Sequence, residues 1–88
     1  MLPGMFILPE IFMSKAFILI NVESGSEDKV VKQLKKMGLV EEAYVSYGVY
    51  DLVIKIKAET MELLKKTISE IRMVNNVRST LSLILIDE

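Results

Sequence analysis

The sequence predicts an α+β fold, a ferredoxin-like βαββαβ sandwich whose antiparallel four-stranded sheet carries two helices on one face. Three observations predict it. Four apolar runs rich in β-branched residues cover 16–22, 39–47, 50–57 and 77–86. Between them lie two segments whose apolar residues recur every three or four positions, the helical period. The resulting order is β-α-β-β-α-β, and right-handed crossovers then place both helices on the same side of the sheet. At 88 residues the chain holds one such domain.

The elements follow in order. Residues 1–13 begin MLPGMFILPEIF, with both prolines and a single charge, Glu10. A signal peptide needs a basic start and a longer apolar core, and a membrane span needs about 20 apolar residues. Neither is present. Met13-Ser14-Lys15 reads as an ordinary start, so 1–13 is expected to be an apolar leader, either a mis-called start or an arm contacting a neighbouring subunit. The single domain is placed at 14–88. Strand one is AFILINV, 16–22. Ser24 or Ser26 can cap the first helix, and Ser24 with Glu27 has capping-box spacing. That helix is expected over 27–37, with Val30, Val31, Leu34 and Met37 on one face, lysines on the other, and Gly38 as its C-terminal stop. Strand two, 39–47, starts irregularly around Glu41-Glu42. In strand three Leu52, Ile54 and Ile56 alternate with Val53, Lys55 and Lys57. Thr60 caps a second helix with a stripe of Met61, Leu64, Ile68 and Ile71. Strand four, 77–86, ends in an unbroken LILI.

Composition narrows the chemistry. Apolar residues are 51% and charged ones 26%, with a formal net charge of −1. No overall basic field would hold a nucleic acid directly. Cysteine and histidine are both absent. Disulfides, thiolate metal sites and the usual general base near neutral pH go with them, and no metal or cofactor is expected. Small dimeric enzymes share this architecture, but their chemistry often uses His. With no His and no cofactor motif, an enzyme is not expected here. The lysine stripe of helix one reads as a solvated face.

Two helices cover only one side of the sheet. Strands one and four nonetheless carry large apolar residues without alternation, Phe17 to Ile20 and Leu83 to Ile86. Exposed, they would form a patch beyond a few hundred Å². A second copy of the same sheet is the economical cover, since closed two-fold dimers are the commonest assembly; an unrelated partner chain is the other.

The turn Tyr47-Gly48-Val49-Tyr50-Asp51 is the unusual local feature. Gly48 allows a tight reversal, but Asp51 is a poor strand residue at the entry of an aliphatic strand. Asp51 either caps nearby amides or, beside two tyrosines, receives a small polar ligand. Ser79, Thr80 and Ser82 at the start of strand four either bond neighbouring backbone or share that pocket. Because strand four is expected on the outside of the sheet, next to strand one, a shared pocket would more naturally form between subunits.

Here the residues resemble a family. Glu42-Ala43-Tyr44, then Gly48-x-Tyr50-Asp51-Leu52, and the close Asn76-Val77-Arg78-Ser79-Thr80-Leu81-Ser82-Leu83 resemble the stand-alone RAM (amino-acid metabolism regulation) domain of the Lrp/AsnC, leucine-responsive/asparagine regulator, family. The resemblance runs from Lys15 to Asp87. It implies sheet-to-sheet homodimers that associate further, from tetramer to octamer or ring, and a free amino acid as effector at interfaces between dimers. It implies effector-binding roles for Gly48, which leaves room, Tyr50, which flanks the ligand, and Asp51, which takes the ammonium, with Ser79 and Thr80 from strand four. The family's helix-turn-helix is not seen in this sequence. The resemblance therefore implies a cytoplasmic module in transcription regulation without direct DNA binding, acting by co-assembly with a full-length Lrp/AsnC regulator, or a purely structural oligomeric partner without ligand.

Overall fold

The computed structural model describes residues 13–86, so the expected leader lies, but for Met13, outside the described residues. The elements are β1 (Ser14–Val22), α1 (Glu27–Lys35), β2 (Val40–Val45), β3 (Leu52–Ala58), α2 (Met61–Arg72) and β4 (Val77–Leu85). The sheet order is β2-β3-β1-β4, with every neighbouring pair antiparallel. This is the predicted βαββαβ sandwich.

Period-two patterning builds the core. Ala16, Ile18, Ile20 and Val22 of β1 and Leu52, Ile54, Ile56 and Ala58 of β3 are buried, and they share a cluster with Val30 and Leu34 of α1 and Leu64, Ile68 and Ile71 of α2. Full burial of one large aliphatic side chain contributes about 1.5–3 kcal/mol over leaving it in water. These central strands and two helix stripes therefore carry the fold.

The helix ends depart from expectation in part. Thr60 caps α2 as predicted: Leu63 N–H donates to Thr60 Oγ1 at 3.1 Å. Within α2, Thr67 joins Leu64, Ile68 and Ile71 on the buried face, whereas Met61, expected there, is 40% exposed. Burial of Thr67 is tolerated because its hydroxyl donates to the Leu63 carbonyl at 2.9 Å. The Ser24–Glu27 capping box does not form. The N-cap is Ser26, whose hydroxyl donates to the Glu23 carbonyl and caps no helix amide, and Glu27 Oε1 is enclosed without a hydrogen-bond partner. Gly38 is not a left-handed stop: among the described glycines Gly25 and Gly48 have positive φ and Gly38 does not. The helix instead ends at Lys35 and tightens through three-residue steps, Lys36 N–H to Gln33 O and Met37 N–H to Leu34 O.

On the sheet face away from the helices, register aligns Phe17 with Leu83, Leu19 with Leu81 and Val53, and Lys15 with Leu85. Phe17, Leu81, Leu83 and Leu85 are each more than a third exposed. The lack of alternation in β1 and β4 thus leaves apolar residues on both faces. At the far corner Glu41 bridges Lys55 at 3.3 Å and Lys57 at 2.7 Å. None of the described helices is long and apolar enough to cross a membrane.

Candidate functional site

The β2–β3 connection is wider than a tight two-residue reversal. Val45 pairs with Leu52, and Ser46 N–H donates to the Asp51 carbonyl at 2.8 Å across the loop. Gly48 has φ +156°, a backbone conformation that residues with a Cβ rarely adopt, although a Cβ there would meet no atom within 4 Å. Tyr47 and Val49 point into solvent, while Tyr50 and Asp51 are half-buried.

Asp51 is fixed at three points. Its N–H donates to Ile20 O at 2.9 Å, extending the β1–β3 ladder, and its carbonyl accepts from Ser46. Its carboxylate Oδ2 accepts from Val22 N–H at 2.9 Å. The amide-capping role expected of an aspartate here is therefore real. The second carboxylate oxygen, Oδ1, has no partner among the described residues.

The end of β1 carries this geometry to β4. Asn21 pairs with Ser79, but Val22 pairs with Val77, so Arg78 is the extra residue of a β-bulge. Bulges bend a strand and re-aim a side chain, often beside a functional site. Asn21 Nδ2 lies 3.5 Å from Ser79 Oγ. Asn21, Val22, Asp51, Arg78 and Ser79 together line an open-mouthed cavity of about 340 Å³. Asp51 and Ser79 thus meet within one protomer. A pocket shared between subunits is the more natural expectation from the sequence, yet one protomer already brings the two residues to one cavity: β1 lies between β3 and β4, so its C-terminal end reaches the start of both.

Ser79 and Thr80 part company. Thr80 Oγ1 accepts from Arg72 Nε of α2 at 3.4 Å, on the helix-bearing face. Both hydroxyls engage side chains rather than neighbouring backbone, and Ser82 Oγ is enclosed without a partner. Gly48 and Tyr50 stand on the loop before Asp51 and do not line its cavity. Sequence reasoning missed Asn21 and Arg78 as lining residues. A bulge leaves no mark in the order of residues, and only strand register puts Asn21 opposite Ser79.

The shifted titrations lie elsewhere, on the far corner of the sheet. A hydrogen bond from Lys57 holds Glu41 below the usual carboxylate range; partial desolvation opposes this, and Lys55 adds to the lowering. The Tyr44 hydroxyl donates to Glu42, and that bond raises its phenol above the ordinary value. Among the described residues no group of three or more acidic side chains is gathered to hold a metal.

Comparison with known proteins places the chain. A profile of the "Lrp/AsnC ligand binding domain" matches residues 15–88. The HTH-type transcriptional regulators FL11 of Pyrococcus furiosus and Pyrococcus abyssi are 32% and 34% identical over 71 residues, covering 81% of this chain and 47% of theirs. The chain spans about half the length of these curated relatives. Among solved structures, hypothetical protein PHS023 from Pyrococcus horikoshii is 39% identical with a TM-score of 0.80, over 85% of this chain and 92% of its own. FFRP-DM1 is also 39% identical at a TM-score of 0.80, over 83% and 99%. AsnC of E. coli, at 24% identity and a TM-score of 0.80, shares the fold over 99% of this chain and 62% of its own. With nearly every residue from Lys15 onward matched and the same sandwich in its relatives, the chain belongs to the Lrp/AsnC ligand-binding domain family.

Proposed function

We propose that this chain is an effector-binding and oligomerisation module of an Lrp/AsnC-type regulatory system, with a free amino acid as ligand of the Asp51–Arg78 cavity. One observation carries the reading: a carboxylate with an unpartnered oxygen and an arginine re-aimed by a bulge line the same cavity. An amino acid presents an ammonium and a carboxylate on one carbon. Asp51 would accept from the ammonium and Arg78 would donate to the carboxylate, both through charge-assisted hydrogen bonds. Asn21 and Ser79 supply neutral polar groups beside them. Gly48 and Tyr50, on the preceding loop, would border the ligand's approach to Asp51. Thr80 lies outside this cavity.

The apolar sheet face serves assembly in this reading: a homodimer through β1 and β4, with dimers joining into tetramers, octamers or rings. Such a module acts in the cytoplasm, without catalysis, by co-assembling with a full-length regulator that carries the DNA-binding part. Titration calorimetry of the oligomer against the twenty amino acids is the test. Saturable heat with at least one, lost in Asp51→Asn, is the expected result. Absence of heat and of thermal shift with all twenty would remove the effector role.

A second reading is supported by the Val22–Asp51 bond itself, which explains the aspartate without any ligand. The chain would then be a structural partner only. Pull-down with a full-length Lrp/AsnC regulator separates the two, because this reading gives heteromers indifferent to every amino acid.

A further inference from the structure

A second recess of about 240 Å³, lined by Arg72, Val77, Arg78, Ser79 and Thr80, shares Arg78 and Ser79 with the proposed amino-acid cavity. Its polar lining is two guanidinium groups and two hydroxyls, with no carboxylate among them. Two cations lining one recess repel, and the chain has 12 acidic residues that could pair with them. Here neither arginine forms an ion pair with a described residue, whereas Lys55 is paired with Glu41 and Glu42. Arg72 is also oriented. Its Nε donates to Thr80 Oγ1, which fixes the guanidinium plane and leaves the two terminal nitrogens for another acceptor. The bulge supplies the second cation by adding Arg78 between Val77 and Ser79.

The geometry points to an oxyanion-binding site at Arg72, Arg78, Ser79 and Thr80, distinct from the Asp51 cavity and sharing Arg78 and Ser79 with it. A planar fork matches two oxygens of a carboxylate or phosphate group, and hydroxyls donate to a third. Asp51 does not line this recess, though it lines the cavity that shares Arg78 and Ser79 with it. The partial negative charge at the C-terminus of α2 opposes an anion, but it is about half an elementary charge against two full ones.

The test is a titration of the full chain with inorganic phosphate at constant ionic strength, followed by phosphorus NMR line width. Saturable binding is expected in the unaltered chain. It should weaken about tenfold or more in Arg72→Gln and in Arg78→Gln, a loss of about 1.4 kcal/mol. Binding should persist in Asp51→Asn, which separates this site from the amino-acid reading. Competition by succinate or acetate would show that carboxylates share the site; resistance to both would mark it as a phosphate-group site. Circular dichroism of the exposed arginine variants checks that they fold. No saturable binding, or equal binding by Arg72→Gln and the unaltered chain, overturns the site.

Discussion

At the scale of single residues, the 2.9 Å bond from Val22 N–H to Asp51 Oδ2 assigns the aspartate a structural duty separable from its charge. Asp51→Ala removes the acceptor of a half-buried amide and should cost about 1–2 kcal/mol in urea unfolding. Asp51→Asn keeps an acceptor oxygen and loses the charge, so its stability should stay within about 0.5 kcal/mol of the original. Amino-acid binding should vanish in both. A stability loss in Asn equal to that in Ala would show that the charge, not the bond, holds the loop. Glu41 offers a test in pH. Its bond from Lys57 lowers its folded pKa relative to the unfolded chain, so the carboxylate stabilises the fold above the unfolded value. That contribution is lost as pH falls through the lowered folded value. Glu41→Gln should therefore flatten the fall of the urea midpoint with acidification, from the ordinary glutamate value down through the lowered folded one. The effect should be small because the pair is largely solvated, and should shrink further in high salt.

At the scale of elements, the two helix starts differ in a way that a matched pair of substitutions can read. Thr60 Oγ1 accepts from the Leu63 amide, whereas the Ser26 hydroxyl is turned back to the Glu23 carbonyl. Thr60→Ala should cost about 1 kcal/mol in thermal or urea unfolding, with Ser26→Ala clearly cheaper. Equal costs would mean that the Ser26–Glu23 bond anchors the turn as firmly as a cap anchors a helix. This contrast also marks how far the sequence could be read. Alternation in 52–58 and the three-and-four spacing of Leu64, Ile68 and Ile71 announced β3 and α2, because burial imposes those periods directly. The ends were less legible. Ser24, Ser26 and Thr60 all have capping chemistry, and backbone angles decide which hydroxyl reaches an amide. For the site, Asp51 stood out as an aspartate among aliphatics. Arg78 and Asn21 did not, since a strand bulge and a cross-strand register are three-dimensional facts that no local spacing encodes.

At the scale of the whole molecule, the apolar sheet face and the Asp51 cavity make separate demands on a second copy of the chain. Phe17, Leu81, Leu83 and Leu85 share the face opposite the helices and contribute nothing to the protomer's own core. Leu83→Lys puts a charge amid them, where pairing with another sheet would bury it without a counter-ion. Sedimentation at micromolar concentration should shift from dimers or larger assemblies to monomer, with an unchanged far-ultraviolet spectrum. An unchanged sedimentation profile would place assembly on another surface. The same variant then asks what assembly does for the cavity. One protomer supplies Asn21, Asp51, Arg78 and Ser79, so the proposed ionic contacts would survive in a monomer; the mouth is open, and in the proposed assembly a neighbouring subunit would be what excludes water from it. Charge-assisted bonds weaken in contact with water. The monomeric variant should therefore bind the amino acid about tenfold or more weakly, about 1.4 kcal/mol, with the residual binding still abolished by adding Asp51→Asn. Full affinity in the monomer would show that one protomer is a complete receptor and that assembly serves only the partner regulator.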